Sequence, residues 1–285
     1  MATDINLIRD HYLQHQQRHN AAYVAKLLVQ LMILYQRHRA SCMATLAGDT
    51  FFERQANILE HEIAHQMQAI EQSCHDYFQD DELERIQQEW EVLCRQWRFD
   101  SALDNFKLHS HLISRVLQLL WLLAERGGHM NASAGHQALA QLCMKHLPEL
   151  IEAVAQARGL ATHCAAIHQN EAEAISRIRY QINHVSSRLN WLNDAIVECT
   201  PEIYHILNAL LRQKDPQKHL HIFLNQLESC FFNSETPTIS SSDIFALGSS
   251  AISGLQDLLI CGQQLLRQDL SSELKQWISG KSIAC

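Results

Sequence analysis

Two arginine-centred segments sit about 120 residues apart, each at or within an apolar helix-like run. The first, Gln36-Arg37-His38-Arg39-Ala40-Ser41, closes the run Leu27-Leu28-Val29-Gln30-Leu31-Met32-Ile33-Leu34-Tyr35. The second runs Leu147-Pro148-Glu149-Leu150-Ile151-Glu152-Ala153-Val154-Ala155-Gln156-Ala157-Arg158-Gly159-Leu160-Ala161. A guanidinium taken out of water needs an opposite charge or several acceptors. Two such groups brought together inside a bundle repel each other unless an anion lies between them. Gly159 follows Arg158 inside helical composition, where it costs about 1 kcal/mol against alanine. A close backbone approach beside a site would justify it.

A second pattern, His61-Glu62-Ile63-Ala64-His65, fits H-E-x-x-H. On a helix His61 and His65 share a face and could hold zinc, with Glu62 as base. The following Gln66-Met67-Gln68-Ala69-Ile70 lacks the metzincin glycine and histidine. Glu89 is the remaining candidate for a third ligand. The expectation is therefore a solvated helix and no metal site, with a zinc hydrolase as a secondary alternative. His109-Ser110-His111 and His219-Leu220-His221 are i, i+2 pairs that point apart on a helix and cannot chelate one ion. They read as polar surface with an occasional core hydrogen bond. Glu125-Arg126-Gly127-Gly128 reads as a helix end, with Arg126 complementing the dipole. Phosphate-cradling glycine loops and the G-x-S-x-G nucleophile elbow are absent. No catalytic residue and no cofactor is expected.

The 285 residues hold 9 Gly and 4 Pro, and 47% are hydrophobic, which indicates an all-α globular chain. The net charge of −8 argues against a general nucleic-acid binder and means that an anion site must be built locally. Nine scattered cysteines without C-x-x-C read as reduced core thiols. Without a basic, then apolar N-terminus or a stretch of 18 apolar residues, the expected location is cytoplasmic.

Helical periodicity covers the chain. Helices are expected over about 4–46, 51–78, 80–97, 101–126 and 133–166, with Pro148 kinking or splitting the last. More are expected over 170–211, interrupted near Thr200-Pro201, then 216–232, 240–266 and 271–278. Long antiparallel helices of this kind pack as one or two four-helix bundles.

At this point the chain resembles the bacterial nitrate- and nitrite-sensing domain family, from about Ala21 to Asp269. The family's Q-x-E-R-G-x-S segment is similar to Gln36 through Ser41, followed by Phe51-Phe52. Its F-x-x-H start resembles Phe106-Lys107-Leu108-His109, and its L-P-x-L-I-E-x-x-x-Q-x-R-G segment resembles Leu147 through Gly159. Its F-x-x-x-[ST]-x-A-I segment resembles Phe245 through Ile252. One departure is that Glu-Arg-Gly reads His38-Arg39-Ala40 here.

The resemblance implies a single sensory module over 1–285, with two sub-bundles sharing long helices, that binds nitrate or nitrite through arginines. Arg39 and Arg158 match the family's motif positions, and Arg212 is a further candidate ligand. The chain stops soon after the sensor region, so the output is expected in a separate partner protein. A homodimer is allowed, and neither membrane nor direct nucleic acid is an expected partner. The alternative is a helical interaction protein that keeps the fold without the ligand.

Overall fold

The computed structural model describes residues 2–49, 51–74 and 76–279. Among them there is no strand. Ten α-helices follow one another: α1 (Ala2–Leu46), α2 (Phe51–Ser73), α3 (Asp80–Gln96), α4 (Ala102–Arg126), α5 (Ala134–Gln141), α6 (Leu147–Ala166), α7 (Ala172–Val197), α8 (Pro201–Lys214), α9 (Pro216–Phe231) and α10 (Ser241–Ile278).

Local chemistry sets most of the boundaries. Ser101 caps α4 by accepting from the Asp104 amide, and Ser240 caps α10 by accepting from that of Asp243. Gly128 adopts φ +78, a left-handed conformation, just after α4. Pro148 supplies no N–H to the helix. Ahead of it, Leu142–His146 form one π-helical turn, in which the Leu147 amide reaches the Leu142 carbonyl. The expected kink at Pro148 thus takes the form of a widened turn between α5 and α6. Pro201 opens α8 in its first turn, placing the expected break at Thr200-Pro201.

The described helices differ from expectation in two places. α2 ends at Ser73 rather than near Phe78, because the chain turns back and the Tyr77 hydroxyl donates to the Gln17 carbonyl at 2.7 Å. The last two expected helices are one, α10, since Ser271 Oγ bonds back to the Arg267 carbonyl at 2.9 Å inside the helix.

α1 and α6 are the central helices. From Ala21 to Met43, α1 is buried on nearly every side, packed against α2 and α4 and touching α6 and α10. In α6, fourteen of twenty residues are buried, against α7 and α10. Helices that are apolar all round belong in the middle of a bundle, so the two signature arginines lie on the two innermost helices. α10 is long and apolar enough to cross a membrane, but its buried residues Ile244, Ala251, Leu255, Leu258 and Leu259 belong to the core shared with α6 and α9. The eight described cysteines are free thiols, six of them buried; Cys285 lies outside the described residues.

Candidate functional site

Arg39, one turn beyond Tyr35 on α1, is 2% exposed. A guanidinium in that position must find a counter-charge, and α6 provides it. Arg39 Nη1 lies 2.6 Å from Glu152 Oε1 and Nη2 lies 3.1 Å from Oε2, a bidentate fork. Gln36 Nε2 donates to the same carboxylate at 2.8 Å, as does Gln156 Nε2 at 2.8 Å. Arg39 also donates to Ser110 Oγ at 2.8 Å and stacks over the Phe106 ring at 4.9 Å, both on α4. Gln181 on α7 continues the chain, donating to Gln156 Oε1 at 2.6 Å. Helical spacing explains the assembly. Gln36 and Arg39 are i, i+3 on α1, and Glu152 and Gln156 are i, i+4 on α6, so each pair shares a face.

Arg158, further along α6, is differently placed. Its Nη1 donates to Ser249 Oγ on α10 at 2.9 Å, and its guanidinium lies 4.7 Å from the centre of the Phe245 ring. Its Nε is buried without a hydrogen-bond partner. Among the described residues no carboxylate comes within 4.0 Å of its guanidinium. Burial, and then the Arg39 charge, push its pKa down to about 10, against a smaller opposing effect from Glu152. Gly248 makes room for the arginine stem, because a Cβ there would lie 2.7 Å from Arg158 Cγ. Gly159 is less crowded. A Cβ would meet Phe106 at 3.6 Å and Met43 at 3.8 Å, so close approach there is ordinary contact.

Arg39, Glu152 and Arg158 together carry two positive charges and one negative. The set is left with one excess positive charge inside the bundle. A cleft of about 850 Å³ between α4, α6 and α7 reaches Glu152 and Gln156. Neither arginine lines it, but Glu152 and Ser110, both bonded to Arg39, do.

Arg212 is not part of this network. It is exposed in the last turn of α8, which packs on α7 and α10, and there it complements the helix dipole. His61 and His65 are both exposed on α2, beside a shallow surface groove. Among the described residues they belong to no cluster of three metal-ligating groups, and Glu89 is engaged at 2.7 Å by Arg115. Arg126 binds Glu82 at 2.6 Å and the Tyr77 carbonyl at 2.9 Å, a structural role.

Sequence reasoning did not single out Glu152, Gln36, Gln156, Ser110, Phe106, Phe245 or Ser249. All but Ser110 fall within the two Arg segments, the Phe106–His109 segment or the Phe245–Ile252 segment, and Ser110 follows His109 directly. The segments therefore converge in space around the two arginines.

The chain shares the fold of the NasR transcription antiterminator. A solved structure of NasR matches 98% of this chain and 77% of its own, with a TM-score of 0.74 and 15% sequence identity. At that identity the likeness to NasR concerns the fold. No family model matches the chain, and no curated protein matches it.

Proposed function

We propose that this protein is a non-enzymatic, cytoplasmic sensor that binds one small monoanion, nitrate or nitrite, through Arg158 and Arg39 and signals to a partner protein. The observation that carries this reading is the excess positive charge of the Arg39–Glu152–Arg158 set, with Arg158 lacking a carboxylate and its Nε lacking any partner. A monoanion neutralises the set, whereas a dianion would overcompensate it. Nitrate is planar with three equivalent oxygens and suits the planar guanidinium fork. The motif resemblance to the nitrate- and nitrite-sensing family supports the choice of ligand. Arg158 touches α10 through Ser249 and Gly248, so an anion on Arg158 acts on the seat of α10 against α6. Signalling is then a population shift toward the packing in which the arginines lie close.

Calorimetric titration with nitrate, nitrite and chloride at constant ionic strength tests this. One equivalent of nitrate or nitrite should bind, with chloride giving no saturable heat. A second reading is favoured by one feature: Glu152 already occupies the Arg39 fork as an internal anion. On that reading the chain keeps the fold as an interaction protein without a ligand, and none of the three anions binds.

A further inference from the structure

Next to the anion site lies a second cluster that the sensor reading does not use. His38 and Cys42 are i, i+4 on α1 and share a face; His109 faces them from α4. All three are fully buried, and their ligating atoms lie within 4.8 Å of one another. His38 Nδ1 is 2.7 Å from His109 Nε2, and Cys42 Sγ is 3.5 Å from His38 Nδ1. We propose that His38, Cys42 and His109 form a three-coordinate site for a thiophilic cation, copper(I).

The surroundings fit that use. His109 Nδ1 bonds the Asn105 carbonyl at 2.9 Å, so Nδ1 carries the proton and Nε2 turns its lone pair toward the cluster. Metal-bound histidines are oriented by this kind of bond. The other nitrogen of His38, Nε2, lies 3.7 Å from Glu60 Oε1, which Trp97 Nε1 holds at 3.1 Å. Ligation at His38 Nδ1 therefore moves its proton to Nε2, where Glu60 is ready to accept a hydrogen bond. Trp90 and Trp97 stand edge-on to the His38 ring, at 4.9 and 6.1 Å, and help to close the site from water.

Ligands at ~2.0–2.3 Å from one ion lie roughly 3.3–3.8 Å apart. The 3.5 Å Cys42–His38 distance already meets this, and the two imidazoles, 2.7 Å apart, must part by roughly 0.6–1.1 Å from their hydrogen bond. The thiol gives up its proton to solvent, so the site gains one cation and loses one proton. Two neutral imidazoles, one thiolate and Cu⁺ sum to zero charge, and neither electrons nor a fourth ligand are required. A zinc ion, which favours four ligands, would be left with one coordination position empty. The site does not depend on the anion reading, although His38 adjoins Arg39 and His109 adjoins Ser110.

The test is anaerobic titration of the full chain with copper(I) against a chromophoric copper(I) chelator. One equivalent should be retained, with affinity falling at least tenfold in Cys42→Ser and in His109→Gln, and unchanged in His65→Ala and Cys230→Ser. Thermal melts confirm that each variant is folded. X-ray absorption at the copper edge of the wild-type complex should show one sulfur and two nitrogens, and it needs no variant. Absence of retained copper, equal retention in Cys42→Ser, a ligand shell without sulfur, or displacement of copper by equimolar zinc would each overturn the proposal.

Discussion

Replacing Glu152 by Gln probes the electrostatic argument most fully. The substitution keeps the shape of the side chain and removes the charge. In the wild type the Glu152 carboxylate accepts two bonds from Arg39 and one each from Gln36 and Gln156. A carboxamide has one oxygen for these donors, and its NH₂ must face another donor. Arg39 is left buried without a counter-charge, and the excess positive charge of the site rises from one to two. Removing one partner of a buried ion pair costs about 3–5 kcal/mol. At roughly 2–4 °C per kcal/mol for a chain of this size or somewhat smaller, the melting temperature should fall by ~6–20 °C. Nitrate should then restore much of the loss, because both guanidinium forks now face it. A ligand at a hundredfold excess over Kd contributes about 2.7 kcal/mol. Thermal melts in sodium nitrate and sodium chloride at equal ionic strength separate this from screening. The nitrate-specific shift should be larger in Glu152→Gln than in the wild type. A variant as stable as the wild type, or one whose nitrate response is no greater, would refute the reasoning that Glu152 is the internal counter-anion.

Arg158→Met should abolish the nitrate-specific stabilisation while leaving the ligand-free protein as stable or more so. Burial pushes the Arg158 pKa down to about 10, so holding that charge inside costs stability. Urea unfolding of the two proteins without nitrate checks the second half of this expectation. Gly248→Ala places a methyl group 2.7 Å from Arg158 Cγ and should cost about 1–3 kcal/mol, with weaker nitrate binding by calorimetry. Burial, with His136 and Arg18 nearby, lowers His129 to about 3, so it folds in its neutral form. Stability should therefore fall as pH drops from 6.5 toward 3, by up to about 1.4 kcal/mol per unit, and His129→Gln should flatten that slope in denaturant titrations.

Much of the fold was legible because helical period and end signals are local. Ser101, Gly127-Gly128 and Thr200-Pro201 mark boundaries that depend on neighbours a few residues away. The continuity of α10 was not legible. Ser271 and Ser272 read as a fresh start, whereas the Ser271 hydroxyl bonds back into the helix it interrupts in composition. The early end of α2 depends on Tyr77 reaching Gln17, 60 residues away in sequence, which no local pattern encodes. At the site, the sequence singled out Arg39 and Arg158 as charges in apolar helices. It could not say that Glu152 reaches Arg39 across 113 positions, although the carboxylate stands in the same segment as Arg158. His109 was hidden for a related reason. As half of an i, i+2 pair it chelates nothing with His111, and its partners His38 and Cys42 come from another helix.

The most direct test of the central claim is calorimetric titration of nitrate into the wild type and Arg158→Lys side by side, at constant ionic strength. Lysine keeps the charge and loses the planar fork. The account expects one equivalent of nitrate on the wild type and binding weakened at least tenfold in Arg158→Lys. Equal binding by both proteins, or no nitrate-specific heat from the wild type, would contradict it.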